Sequence, residues 1–366
     1  MTSALLGRSS LAASLAREIL PASLPRHSDV HLLDGGEHSQ LFVVGGSRIF
    51  DVDGQTLREL QAAVGDPGEH AVSSLLAGLG LQPWEPIGEL PTDVPVRALS
   101  LAVAQKCNLG CTYCYAQKGE FGGAPKDMPL ATAIKAVDLL LAQASRGDKI
   151  NIAFMGGEPL RNRDVLRGAT EYAARAGSQR GISVGFSVTT NGTLVSEDDG
   201  DFFEEHGFSV TISVDGPRPV HDRLRPFKNG VGSYDVIMKR ARPLLSRQRR
   251  MQVSARVTVT PFNASLPKTL DLLVAEGFHS VGFSPLLHSP DGSGEMGQAE
   301  LQLLLEGMIA CGLVFEQHTL RRHRYPFLNM INALRELDKG THCPYPCGVG
   351  AGYLGVSADG DLVLLC

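Results

Sequence analysis

The 366-residue chain has 43% hydrophobic and 20% charged residues and a formal net charge of −5. That length is enough for two or three cores, and the mild acidity offers no electrostatic footing for nucleic acid. Its cysteines cluster at 107–114 and 343–366, with Cys311 alone. This pattern suits metal ligation in a reducing cytoplasm better than an extracellular disulfide framework. No apolar stretch is expected to reach the length of a membrane span.

Residues 1–28 are rich in Ala and Leu but broken by Arg8, Arg17 and Glu18, so they read as a tail or helix rather than a signal peptide. Asp29–Leu33 and Gln40–Phe50 read as two or three short strands turning at Gly45-Gly46. A helix through Leu57, Leu60 and Val64 follows, then a second over about Glu69–Leu79. Residues 29–82 thus form a small α+β domain without a catalytic cluster. Its topology resembles the winged-helix-like peptide recognition element of enzymes that modify ribosomally made peptides. The resemblance implies binding of a leader peptide by strand addition. Proline-rich residues 83–97 read as a linker.

From 98 to 318 strand and helix patterns alternate. Strands are expected at Ala98–Val103, Ile150–Phe154, Ser183–Thr189, Ser209–Val214, Gln252–Val259 and Ser280–Leu287, largely buried on both faces. Helices are expected at about Leu130–Ser145, Arg161–Ala176, Glu197–Gly207, Ser233–Ser246, Leu266–Glu276 and Gln298–Gly312. Six βα units point to an α/β fold with parallel strands. Just past the first strand stand Cys107, Cys111 and Cys114, three thiols within eight residues. A Cys-x-x-Cys pair alone fits zinc, disulfide exchange or iron–sulfur chemistry. The third thiol, with no obvious fourth partner nearby, favours a [4Fe–4S] cluster with one open iron over a zinc site or buried core cysteines.

Cys-x3-Cys-x2-Cys with Tyr113 before the last cysteine resembles the signature of radical S-adenosylmethionine (SAM) enzymes. Three further segments fit: Gly156-Gly157-Glu158-Pro159, Thr189-Thr190-Asn191-Gly192, and Ser213-Val214-Asp215-Gly216-Pro217 with His221-Asp222-x-x-Arg225. The last resembles the peptide- and sulfatase-modifying branch that carries a SPASM extension. The resemblance implies a (β/α)6 partial TIM barrel with its active groups at the C-terminal strand ends. It implies that SAM chelates the open iron and is reductively cleaved to a 5′-deoxyadenosyl radical, which abstracts a substrate hydrogen. Cys107, Cys111 and Cys114 would hold the cluster, with Tyr113 beside it and the adenine. Gly156, Gly157, Glu158 and Pro159 would receive the SAM amino group. Ser187, Thr189 and Asn191 would hold ribose and carboxylate oxygens, and Ser213 and Asp215 ribose or substrate. Arg256, an arginine inside an apolar strand, needs a partner or ligand and suits the SAM carboxylate or a substrate group. Asp215 and His221 are the candidate catalytic groups, although a structural His–Asp pair with Asp222 fits His221 equally. Ser233 is expected to cap the following helix.

Residues 319–366 form a cysteine-rich segment: Cys343 and Cys347, a strand Tyr353–Val356, a turn at 357–360, a strand Leu362–Leu365, and Cys366. It resembles the start of a SPASM/twitch-like extension, which implies at least one auxiliary [4Fe–4S] cluster on Cys343, Cys347 and Cys366. Gly360 and Cys366 are separated by five residues where that family has four, and the later cysteine-rich run is missing. A shortened piece of a longer protein is therefore expected; zinc or a disulfide is the rival reading of these thiols. The function expected is intramolecular crosslinking (thioether or C–C) of a ribosomally made peptide. The alternatives are formylglycine formation in a sulfatase, or a non-catalytic iron–sulfur scaffold or electron-transfer protein. The implied partners are a peptide or protein substrate and a low-potential donor such as flavodoxin or ferredoxin, with no nucleic acid or membrane.

Overall fold

The computed structural model describes residues 30–33, 39–44, 47–65, 70–81, 94–289, 291–339 and 352–363. The tail 1–28, most of the linker, the Gly45-Gly46 turn, and Cys343, Cys347 and Cys366 lie outside the described residues. Two compact units separate. The first gathers the described residues up to 81 with 305–316 and 329–339; the second gathers 94–304, 317–328 and 352–363.

In the first unit, β1 (Val30–Leu33), β2 (Ser39–Val43) and β3 (Arg48–Val52) form an antiparallel meander. Helices α1 (Gly54–Gly65) and α2 (His70–Gly78) follow. Leu57, Leu60 and Val64, spaced for one helical face, are buried on α1. Leu60 and Val64 pack in one cluster with Leu41, Val43 and Leu76. Asp53 caps α1, its Oδ1 accepting from the backbone N–H of Gln55 and Thr56 at 3.0 and 2.8 Å. Such a cap adds about 1 kcal/mol to helix stability.

The second unit is built on a sheet whose parallel strands lie side by side in chain order: β4 (Ala98–Gln105), β6 (Lys149–Gly156), β7 (Ser183–Thr190), β8 (Ser209–Ser213), β9 (Gln252–Val259) and β10 (Val281–Pro285). The two-residue β5 (Lys126–Asp127) pairs with β4. Crossover helices α3 (Leu130–Ala142), α4 (Arg163–Arg180), α5 (Glu197–His206), α7 (Tyr234–Leu245) and α8 (Leu266–Ala275) connect the strands, with the short α6 (Arg218–Leu224) after β8. Right-handed crossovers in unbroken order put the helices on one face. β11 (Tyr353–Val356) joins β4 in parallel, and β12 (Leu362–Val363) pairs with β11, so the β4 edge is covered.

Burial departs from the expected two-sided pattern. Among the described strands only β4 is buried along its whole interior. In β7 to β9, Phe186, Val188, Val210, Ile212, Val253, Ala255, Val257 and Val259 are buried, while Ser187, Thr189, Thr211, Ser213, Ser254, Arg256 and Thr258 between them are half-buried or exposed. The period-2 alternation thus gives one apolar face and one hydroxyl-rich open face.

A second departure concerns the helix expected to stop at Gly312. It runs without a break as α9 (Gln298–Leu320), with α10 (Leu328–Lys339) after it. One glycine costs a helix only about 1 kcal/mol. The 23 residues of α9 are long and apolar enough to cross a membrane by length and composition, with a mean hydropathy of 1.3 over an 18-residue window. This corrects the expectation that no such stretch exists, because Glu300, Glu306 and Glu316 are too sparse to interrupt it.

Candidate active site

The chain leaves β4 into the loop bearing Cys107, Cys111 and Cys114, all free and half-buried. Two close fits seat this loop. On one side the backbone N–H of Gly157 and Glu158 donate to Ala104 O and Lys106 O, both at 2.8 Å. A Cβ on Gly157 would fall 2.3 Å from Lys106 O, and one on Gly119 would fall 2.7 Å from Cys107 Cβ. Neither position has room for a side chain. On the other side the loop pairs with the segment after α6. Gly110 N donates to Pro226 O at 2.8 Å and Thr112 N to Leu224 O at 3.0 Å, with Leu109 bridged to Phe227.

Glu158 is wholly buried. Its Oε1 accepts from Leu160 N at 3.0 Å and Thr190 Oγ1 at 2.7 Å, and its Oε2 from Asn191 N at 2.7 Å. The carboxylate therefore ties the end of β6 to the end of β7. Burial pushes its pKa up, against those donors. Pro159 is buried at the start of the short helical turn that leads into α4. The Asn191 side-chain N–H₂ donates to Asn108 Oδ1 at 2.9 Å and reaches Cys107 Sγ at 3.6 Å. Leu109 N also donates to that sulfur, at 3.4 Å.

Across the site, Asp215 is wholly buried too. Tyr113 OH donates to its Oδ2 at 2.5 Å, and Thr258 N to its Oδ1 at 3.0 Å. Arg225 Nη1 donates to Tyr113 OH at 2.5 Å and lies 3.9 Å from the Asp215 carboxylate. Burial pushes the Asp215 carboxyl up, while the Arg225 charge pulls it down. His221 has no exposure. Its Nδ1 accepts from Asp215 N at 3.2 Å, and its Nε2 lies 3.0 Å from Ser233 Oγ, which donates to Arg225 O at 2.6 Å. These partners fix a neutral ring with its proton on Nε2. Burial and the Arg225 charge push its pKa down to about 3. His221 therefore holds structure and has no open face for a substrate proton. Ser233 makes no helix cap; its hydroxyl serves this network instead.

Four candidates remain on the open face: Ser187, Thr189, Ser213 and Arg256, with Ser213 and Arg256 paired across β8 and β9. Asn191, Glu158 and Asp215 stand behind them, their polar atoms engaged by the chain. Sequence reasoning passed over Gly119, Asn108, Thr190 and Asn263. Asn263 Nδ2 donates to Asp215 O at 3.0 Å and Thr258 O at 2.8 Å. For Thr190 the signal was there: strand parity turns it away from Ser187 and Thr189, toward Glu158.

Three free thiols on one short loop, with Cys107 and Cys114 both bearing on the charge of Cys111, would suit an iron–sulfur cluster. Burial drives the Cys111 thiol up to about 11, so metal binding must displace a proton. Among the described residues no three His, Cys, Asp or Glu side chains converge on a single-ion site, as tetrahedral zinc would require.

Residues 101–273 match the model of the Radical SAM superfamily. An uncharacterized protein of Methanocaldococcus jannaschii is 33% identical over 194 residues, 52% of this chain and 63% of that protein. The serine-type anaerobic sulfatase-maturating enzyme of Klebsiella aerogenes is 29% identical over 221 residues, 58% of this chain and 52% of that enzyme. The chain thus spans between about half and two thirds of these relatives' length. Native anSMEcpe with bound AdoMet shares the fold, with a TM-score of 0.62 at 20% identity over 73% of this chain and 74% of that one. Streptococcus suis SuiB does so at a TM-score of 0.54 and 12% identity, over 93% of this chain and 82% of that one. The superfamily works with a [4Fe–4S] cluster and SAM. The cysteine loop at the strand ends, the open polar face and the matched model identify residues 101–273 as a radical SAM domain, similar in sequence to the anaerobic sulfatase-maturating enzymes.

Proposed function

We propose that the chain abstracts a hydrogen atom from a residue of a peptide or protein substrate, and that the product is a thioether or C–C crosslink within a ribosomally made peptide. The observation that carries this reading is the seating of Cys107, Cys111 and Cys114 beside an open face of hydroxyls and one guanidinium. Cluster and SAM, when bound, supply the 5′-deoxyadenosyl radical. The chain's own part is to hold and to orient. Ser187, Thr189 and Ser213 offer uncharged oxygens for ribose and carboxylate groups. Arg256 offers a guanidinium to a carboxylate. An auxiliary cluster on Cys343, Cys347 and Cys366 and a flavodoxin or ferredoxin donor complete the proposal. The meander of the first unit ends in two edge strands, β1 and β3, and an edge can accept a leader peptide as an added strand.

Formylglycine formation is the second reading, and its support is specific. Serine-type and cysteine-type anaerobic sulfatase-maturating enzymes both stand among the relatives. One experiment tests both. The anaerobically reconstituted protein is incubated with SAM, dithionite and cysteine- or serine-bearing peptides, and 5′-deoxyadenosine and peptide mass are followed. Loss of two hydrogens from a product inert to carbonyl reagents supports the crosslink. A product that reacts with a hydrazine supports formylglycine. No 5′-deoxyadenosine would remove both readings.

A further inference from the structure

The segment after α6 is more than a connection. Residues 108–112 and 224–228 run antiparallel, Leu109 opposite Phe227, Gly110 bonded to Pro226 and Thr112 to Leu224. That register sets Cys111 directly opposite Arg225. Arg225 is 8% exposed as a residue; Nη1 is spent on Tyr113 OH, and Nε has no hydrogen-bond partner among the described residues. A buried guanidinium that keeps an unspent N–H beside a metal-ligating cysteine is costly unless its charge is used. Among the described residues its carboxylate partner is Asp215, at 3.9 Å. The Cys111 thiol also feels the Arg225 charge.

We propose that Arg225 is a positioning residue that sets the reduction potential of the cluster held by Cys107, Cys111 and Cys114, with Asp215 as the opposing charge. Adding an electron to the cluster adds a negative charge. A fixed cation alongside favours that step, and a fixed anion opposes it. Hydrogen bonds and charges around the sulfurs are among the levers by which proteins set such potentials. Nothing is broken or formed: one electron passes from dithionite to the cluster. The inference rests on the cluster reading given above.

The test is an anaerobic potentiometric titration of the reconstituted protein, followed by electron paramagnetic resonance, with iron content and circular dichroism recorded beside it. Arg225→Met should lower the equilibrium constant for one-electron reduction about tenfold, a fall of ~59 mV. Arg225→Lys keeps the charge and should stay within about twofold of the unmodified protein. Asp215→Asn removes the anion and should shift the potential the other way. General loosening of the site cannot produce opposite signs. If the Met and Lys variants share one potential, or lose iron equally while folded, the charge plays no part and the proposal is overturned. If the unmodified protein takes up no iron, the cluster reading fails first, and this inference falls with it.

Discussion

Glu158 and Asp215 are both wholly buried carboxylates, one past the end of β6 and one past the end of β8 with β7 between them, yet they are neutralised differently. Glu158 is met by two backbone N–H groups and one hydroxyl. Asp215 is met by a phenol, a backbone N–H and a guanidinium. The first fastens two adjacent strands through dipoles. The second draws the cysteine loop to the end of β8, across a gap of 102 residues between Tyr113 and Asp215. A dipole-solvated anion can lose its charge without stranding another. An ion-paired one cannot.

The comparison is broken most directly by truncation. Asp215→Ala leaves Arg225 as an uncompensated buried cation and should cost about 3–5 kcal/mol in urea unfolding of the reconstituted protein. Glu158→Ala strands three donors, all neutral, and should cost about 1–3 kcal/mol. Equal losses would mean that the guanidinium does not distinguish the two carboxylates.

A smaller effect sharpens the Asp215 side. His221 titrates near 3 when folded against 6.5 for an ordinary histidine. Below pH 6.5 the unfolded chain binds a proton that the folded chain refuses, so stability falls as pH drops through the 3–6.5 window. The slope is at most about 1.4 kcal/mol per pH unit. Unfolding midpoints at pH 7 and 5.5 should differ in that sense, and His221→Gln should remove this share of the difference. An unchanged slope in the variant would mean that His221 is protonated in the fold.

Element order was legible because strand alternation and helical spacing survive in single segments such as Ser183–Thr190 and Leu130–Ala142. The direction of side chains at strand ends was not. Gly156 and Gly216 take φ of 137° and 123°, a region that favours glycine. The turns they make decide where Glu158 and Asp215 point. Motif position placed both carboxylates at the site, but it could not show that the chain itself uses up their oxygens. The reading of β7–β9 as buried on both faces failed for a related reason. Serine and threonine on a strand fit a buried surface and an open one equally, and only the neighbours tell which. The pairing of Cys111 with Arg225 depends on contacts between segments more than a hundred residues apart, which local pattern does not carry.

The smallest effect concerns Glu158 alone and has the opposite sign to that of His221. Burial raises its pKa above the ordinary 4.5. Between that value and the raised one the folded state holds a proton that the unfolded state has released. Its contribution to stability is therefore full below pH 4.5 and is lost as pH rises through the raised value. The window overlaps that of His221, so the raw pH profile of the protein cannot separate the two. A difference can. Glu158→Gln cannot ionise, and its one carbonyl oxygen serves fewer of the donors at Leu160, Thr190 and Asn191. That mismatch shifts stability by the same amount at every pH and leaves no slope. Subtracting the variant's profile from that of the unmodified protein should leave a curve that falls with rising pH. A flat difference would place the Glu158 pKa at its ordinary value, with its three donors fully offsetting burial.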